Sequence, residues 1–354
     1  MTPAHVTPDW SQTPVVLAPM AGGPSTVRLA AAVAEAGGFA FLAGAYLSPE
    51  RLRSDIEELR SLTRKPFGVN IFAPSPDDPS MTAAAQAYAE LLAPWAAAAG
   101  VVLGPPRYDD DSFAAKVDLL VAAAPSLVSF AFGWPPAEAV TRLQSAGVQV
   151  WVTLNEPAEV EWAEALGVDG IVAQGWEAGG HRGGPVDTGA EQQPVRELVR
   201  AVRARTSLPV IAAGGLMTGG EAAEVLSLGA SAVAFGTAFL GCPEAGTAEV
   251  HGHALTHREG TVVTRAFTGR SARALRTAWT DGYGTAAPAA YPHVHHVTAP
   301  LRAHGKATGE AELVHLWAGT GHRRLRALPA GELCRQLLDE LAQATQARRA
   351  GKPG

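Results

Sequence analysis

Eight short runs of β-branched, aromatic and small apolar residues recur along this chain, each followed by a longer segment rich in Ala, Leu, Glu and Arg. They start at Val15, Phe39, Phe67, Leu127, Val148, Gly170, Pro209 and Ala232. Runs such as Val15-Val16-Leu17-Ala18 show no polar alternation, as expected of strands buried on both faces. The helical segments between them predict parallel βα units. Eight units favour a closed (β/α)8 barrel of the TIM type, because closure removes the edges that an open sheet must protect. An open, doubly wound sheet is the alternative.

Local signals set the boundaries. Thr26 to Ala36 reads as a helix stopped by Gly37-Gly38, and Ser48-Pro49 opens the next as N-cap and first-turn proline. Further helices are expected at Thr82–Ala99, Ser112–Ala124, Pro136–Ala146, Pro157–Leu166, Gln193–Arg205 and Gly220–Leu228. Val101-Val102-Leu103 is compatible with strand or loop. Beyond residue 242 the alternation stops, and a polar stretch with nine of the eleven histidines runs to about residue 330. The expected organisation is a barrel over 13–242, a helical insertion over its mouth at 243–330, and a closing helix packed on the barrel at 331–350.

A barrel alone takes about 250 residues, so a chain of 354 has room for that excursion. With 47% hydrophobic and 18% charged residues the chain is globular. A net charge of -6 argues against the basic face that nucleic-acid binding requires, leaving a small molecule as the expected partner. Cys242 and Cys334 lie outside any metal-binding or redox spacing, which suits a reduced, cytoplasmic interior. The opening MTPAHVTPDW has neither a basic nor an apolar leader region, so no signal peptide is expected. The longest apolar stretch, Leu29 to Leu47, is broken by Glu35 and Gly37-Gly38, which disfavours a membrane span.

Chemistry in a barrel belongs at the C-terminal ends of the strands. After the seventh expected strand comes Gly214-Gly215, and after the eighth Gly236-Thr237. Glycines there let backbone N–H groups approach an anion, and the helix start near Thr218 adds a positive dipole, so these two loops are read as a phosphate site. The loop after the sixth strand, Gln174-Gly175-Trp176-Glu177-Ala178-Gly179-Gly180-His181-Arg182-Gly183-Gly184, surrounds one titratable ring with glycine. His181 is the expected acid, base or cationic anchor near neutrality. Glu177 and Arg182 belong either to that site or to a solvated ion pair. The first loop, Ala18-Pro19-Met20-Ala21, brings apolar backbone to the mouth, as suits the face of a planar ring. Asn70 and Gln174 add two carboxamides. Together these describe a pocket for a phosphorylated heteroaromatic.

Pro19-Met20-Ala21-Gly22-Gly23, Gly68-Val69-Asn70, Glu177-Ala178-Gly179-Gly180-His181, Ala212-Ala213-Gly214-Gly215 and Phe235-Gly236-Thr237 occur in this order in one family. The chain resembles the nitronate monooxygenases, formerly called 2-nitropropane dioxygenases. Phe267-Thr268-Gly269-Arg270 and Leu316-Trp317-Ala318-Gly319 extend the resemblance over about residues 13 to 345. It implies an FMN-dependent barrel that oxidises nitronates with O2 to carbonyl compounds and nitrite. It further implies that Ala18, Pro19, Met20, Ala21, Asn70, Gln174 and Gly179 contact the flavin, with Gly180, Gly214, Gly215, Phe235, Gly236 and Thr237. His181 matches the catalytic histidine, taking the α-proton of a neutral nitroalkane or, when protonated, holding an anion. Ala234 stands where the family usually places glutamine, and Thr320 and His322 stand where glutamine and an aromatic are expected.

Two other classes share parts of this pattern. FMN-dependent enoyl-acyl-carrier-protein reductases carry a similar glycine-histidine segment and take hydride from a nicotinamide. A non-redox barrel lyase or isomerase would use the same phosphate loops. His251, His253, His293, His295 and His296 lack carboxylate or cysteine companions at ligand spacing, so they are read as surface or loop histidines and no metal is expected. Asp109-Asp110-Asp111 is read as a solvated helix lead-in.

Overall fold

The expected strands close into one parallel barrel in the computed structural model, which describes residues 8–189 and 193–350. The first seven residues of the opening segment, read as lacking a leader, lie outside the described residues. The strands are β1 (Val15–Leu17), β2 (Phe39–Ala43), β3 (Phe67–Phe72), β4 (Leu127–Ala131), β5 (Gln149–Leu154), β6 (Gly170–Gln174), β7 (Gly180–His181), β8 (Val210–Ala213), β9 (Ala232–Phe235), β10 (Thr261–Thr264) and β11 (Ala272–Leu275). The barrel runs β1 to β6, then β8 and β9, and β9 pairs back onto β1.

Strand periodicity sorts the side chains into two layers. Val16, Phe39, Phe41, Leu127, Trp151 and Ile211 turn inward with Ala232 and Ala234. Trp10 packs edge-on against Phe39 and Trp151, with ring centroids 5.2 and 5.3 Å apart, and closes the end where the strands begin. The Trp151 ring lies so close to Gly170 that a Cβ there would sit 2.4 Å from it, which is why β6 begins with glycine. The alternate residues, among them Val15, Leu17 and Phe235, face outward and pack under the helices. Full burial of each such large side chain contributes about 1.5–3 kcal/mol.

Helix starts follow local chemistry. Thr26 caps Val27–Glu35 by accepting from Leu29 N, and Ser48 caps Pro49–Leu62 by accepting from Arg51 N. Helices Phe113–Ala123, Ala137–Ser145, Val160–Leu166, Val195–Arg203 and Gly219–Ser227 complete the ring except for its last member. That place is filled by Ala330–Ala350, which packs between Gly219–Ser227 and Val27–Glu35 and buries Leu333, Cys334, Leu337 and Leu341. The chain between β9 and this helix is thus an excursion from the eighth βα unit.

The excursion is not wholly helical. Beside helices such as His293–Thr308 it carries β10 and β11, which pair antiparallel, and β11 pairs in turn with β7 in the glycine loop. It also recruits a helix from the barrel sequence. Pro79–Ala98, expected within the 13–242 unit, packs on His293–Thr308 in a second core with Tyr88, Leu92, Phe267, Trp279, Val297 and Leu301. Val101–Leu103 forms no strand. No helix among the described residues is long and apolar enough to cross a membrane.

Candidate active site

A cavity of about 460 Å³ opens at the C-terminal ends of the barrel strands, roofed by the excursion. Its size is within the range of small-molecule and cofactor sites. The loop after β1 contributes Ala18, Pro19, Met20 and Ala21. Asn70 reaches it from β3 and Gln174 from β6, followed by Gly179, Gly180 and His181. The loops after β8 and β9 supply Gly214, Gly215, Gly236 and Thr237. Phe235 is the exception: strand alternation turns its side chain outward into the barrel–helix layer, and Ala234 faces the cavity instead. Only the Phe235 carbonyl serves this region, accepting from Ala18 N at 3.0 Å.

The glycine loop is held by buried hydrogen bonds. Gln174 Nε2 donates to the His181 carbonyl at 3.0 Å, and its Oε1 accepts from Gly183 N at 2.8 Å. Its carboxamide therefore braces the loop. Arg182 is buried and donates to the carbonyls of Gly175 at 2.8 Å and Gln174 at 3.1 Å, while Glu177 accepts from Val195 N at 2.9 Å. Burial of Arg182 removes the solvated-pair alternative. Arg273 donates to the Trp176 carbonyl at 2.9 and 3.0 Å, and Arg270 to the carbonyls of Arg182 and Gly184. Gly179 presses so tightly against the Ala318-Gly319 backbone that a Cβ would lie 2.4 Å from Gly319 N.

Asn70 donates from Nδ2 to the backbone and side-chain oxygens of Ser129 at 3.1 and 2.9 Å. On the opposite wall, the amides of Gly215, Gly236 and Thr237 have no protein acceptor among the described residues. Gly215 has φ +64, and a Cβ there would meet Glu177 Cβ at 2.6 Å. The helix start after β8, expected to help bind phosphate, is already satisfied. Met217 N and Thr218 N donate to Glu221 Oε2 at 2.9 and 3.1 Å, and Gly219 N to Glu340 Oε2 at 2.7 Å. Two carboxylates on those donors oppose an anion, so the anion-receptive backbone is the pair of glycine turns themselves.

His181 Nε2 lies 2.8 Å from Thr268 Oγ1. The ring is packed by Phe132 and Trp317, with centroids 5.2 and 5.0 Å away, and the surface it retains faces the cavity. Burial, reinforced by the charges of Arg270 and Arg302, lowers its pKa to about 3. The imidazole is neutral near pH 7, which leaves a lone pair free to take a proton and disfavours the protonated anchor that the sequence also allowed, while so low a pKa makes the unliganded imidazole a weak base.

Sequence reasoning missed the cationic side of the cavity. Arg302 is buried and donates from Nε to Thr298 Oγ1 at 3.1 Å and from Nη2 to the His295 carbonyl at 2.9 Å. Lys306, one turn on, reaches the Gly22 carbonyl at 3.4 Å. Neither forms an ion pair with a carboxylate among the described residues. Burial lowers the Arg302 pKa to about 10, so it stays charged at neutrality. His251 and His295 line the same cavity, correcting their reading as surface or loop residues, and His315 lines it beside them. Burial lowers His251 to about 4 and His295 to about 2. No group of three or more His, Cys, Asp or Glu among the described residues is placed to hold a metal. Asp111 is likewise no solvated lead-in, since it pairs at 2.7 Å with the buried Lys116 and accepts from Tyr46 N at 3.0 Å.

Residues 7–342 match the family described as Nitronate monooxygenase. A nitronate monooxygenase of Pseudomonas aeruginosa is 40% identical over 346 residues, covering 93% of this chain and 96% of the relative. Among solved structures, a nitroalkane oxidase from Streptomyces ansochromogenes superimposes with a TM-score of 0.92 at 45% identity, covering 95% of this chain and 97% of that one. FabK from Thermotoga maritima superimposes with a TM-score of 0.75 at 26% identity, with 96% of each chain covered.

Proposed function

Because this chain belongs to the nitronate monooxygenase family, we propose that it is an FMN-dependent oxidoreductase converting nitronates and O2 into carbonyl compounds and nitrite. The observation that carries this reading is a half-buried His181 facing a cavity that also holds two cations without carboxylate partners among the described residues, Arg302 and Lys306. A base beside fixed positive charge suits a substrate that is an anion or becomes one on losing a proton.

When bound, FMN supplies the redox chemistry, and the protein supplies binding, orientation and electrostatics. The unengaged amides of Gly215, Gly236 and Thr237 suit its phosphate. Ala18 to Ala21 offer an apolar surface to the ring, and Asn70 offers an amide. His181 accepts the α-proton of a neutral nitroalkane. Arg302 stabilises the resulting charge on the nitro oxygens, while Phe132 and Trp317 exclude water around the imidazole.

An absorbance spectrum of the purified protein tests the cofactor. Oxygen uptake with nitroethane and with its nitronate tests the reaction. A colourless protein, or a yellow one inert to both substrates, overturns the proposal. Rapid anaerobic bleaching by NADH would favour the enoyl-reductase alternative instead.

A further inference from the structure

We propose that Thr268 is a positioning residue that fixes the tautomer of His181, holding the proton on Nε2 and presenting Nδ1 as the base; the inference rests on the reading of His181 given above. Thr268 is buried in the turn Phe267–Arg270 between β10 and β11. The turn is rigid. Thr268 N and Gly269 N both donate to the Arg265 carbonyl, at 3.2 and 2.8 Å, and the Gly269 carbonyl accepts from Ala290 N at 3.0 Å.

Three groups surround the Thr268 hydroxyl. His181 Nε2 is 2.8 Å away, the Arg270 carbonyl 3.3 Å and Arg270 N 3.4 Å. A hydroxyl has one proton and two acceptor positions. The carbonyl can only accept and the peptide N–H can only donate. With the hydroxyl proton assigned to the carbonyl, a lone pair faces the imidazole and Nε2 carries the hydrogen; the opposite tautomer would have the hydroxyl donate to Nε2 and withdraw its proton from the Arg270 carbonyl.

The other ring nitrogen has the complementary environment. His181 Nδ1 has no protein partner among the described residues, and it is absent from the fully buried unpartnered atoms, so it opens onto the cavity. The backbone holds the ring in this orientation. His181 pairs with Ala272 in the β7–β11 ladder, and its carbonyl accepts from Gln174 Nε2. In the step that follows, the substrate α-proton passes to Nδ1. The C–H electron pair stays with the substrate and delocalises onto the nitro oxygens. The imidazolium keeps Nε2–H on Thr268. A substrate that arrives as the nitronate needs no such transfer.

The contrast between these substrates supplies the test. Thr268→Val keeps the shape and removes the acceptor. With it, kcat/KM for nitroethane falls by on the order of 10²-fold, while oxidation of the nitronate is largely unchanged and Thr268→Ser restores nitroethane turnover. Equal loss with both substrates, or no loss with either, overturns the proposal. A second measurement needs no variant at residue 268. In 15N-histidine-labelled wild-type holoenzyme, with the resonance assigned by its disappearance in His181→Asn, Nε2 is expected protonated and Nδ1 bare. A protonated Nδ1 overturns the assignment. Wild-type protein inert to both substrates would overturn the functional reading, and the labelled imidazole would still decide the tautomer.

Discussion

Asn155 Nδ2 donates to both the backbone oxygen and the side-chain oxygen of Gln174, at 2.8 and 2.9 Å. The Oδ1 of the same carboxamide accepts from Gly184 N at 2.6 Å, so one fully buried side chain ties the end of β6 to the far end of the glycine loop. Asn155→Ala leaves Gly184 N without its acceptor and removes one donor from Gln174 Oε1. Because Gln174 Oε1 keeps its bond from Gly183 N, the expected cost is about 1–3 kcal/mol for the unsatisfied Gly184 N, read by urea denaturation, with flavin lost at lower denaturant than in the wild type.

His181→Ala removes the base without touching the glycine amides on the opposite wall. The variant is expected to stay yellow and to lose about 10²- to 10⁴-fold in kcat/KM with a neutral nitroalkane. Its loss with the corresponding nitronate should be smaller, and oxygen uptake with both substrates measures the difference.

The depressed pKa values of His181, His251 and His295 also govern acid stability. Each is neutral in both folded and unfolded protein above the ordinary histidine pKa of about 6.5. Below it the unfolded chain takes up protons that the folded protein refuses until about pH 3, 4 and 2 respectively. Stability therefore falls as the pH drops through this window, by roughly 1.4 kcal/mol per pH unit for each such histidine. Urea midpoints measured between pH 7 and 5 check this, and His295→Phe should flatten the slope. Nitroalkane turnover should show no His181 inflection near pH 6.5.

Arg302→Met tests the anionic character of the substrate. Hydrogen bonds to charged groups contribute about 1.5–3 kcal/mol, so KM for the nitronate should rise roughly 10- to 100-fold. Binding of the neutral nitroalkane should change less. Steady-state kinetics with the two substrates side by side provide the comparison.

Gly215→Ala places a methyl group 2.6 Å from Glu177 Cβ in a backbone region that costs ordinary residues about 1–2 kcal/mol. The expected outcome is a folded protein that retains less flavin, measured as the ratio of flavin to protein absorbance after gel filtration.

The barrel was legible because parallel strands buried on both faces print as apolar runs; β2 and β9 begin and end where those runs do. The cavity lining was legible where it comes from local loops, as at Gly214-Gly215 and Gly179-Gly180-His181. It failed where the partner is distant. Two residues, Gly180 and His181, form a strand only because Arg273 and Ala272 lie beside them, and nothing in a glycine-rich loop announces that. The occupied helix start after β8 did carry a signal, since Thr218 and Glu221 have the spacing of a capping box. The cationic wall carried another. His295, Thr298 and Arg302 recur at helical spacing, on one face of a helix whose neighbouring face is apolar.

The position of Ala330–Ala350 bears on how the protein is made. The ring of helices has a gap until that segment arrives, and it follows the last barrel strand by more than ninety residues, from Phe235 to Ala330. A ribosome-bound chain that has already formed all eight barrel strands still exposes the apolar groove between Val27–Glu35 and Gly219–Ser227. Emergence of Ala330–Ala350, rather than synthesis of the barrel strands, sets the earliest moment at which this ring of helices can close, and deletion of that helix should yield an aggregating product.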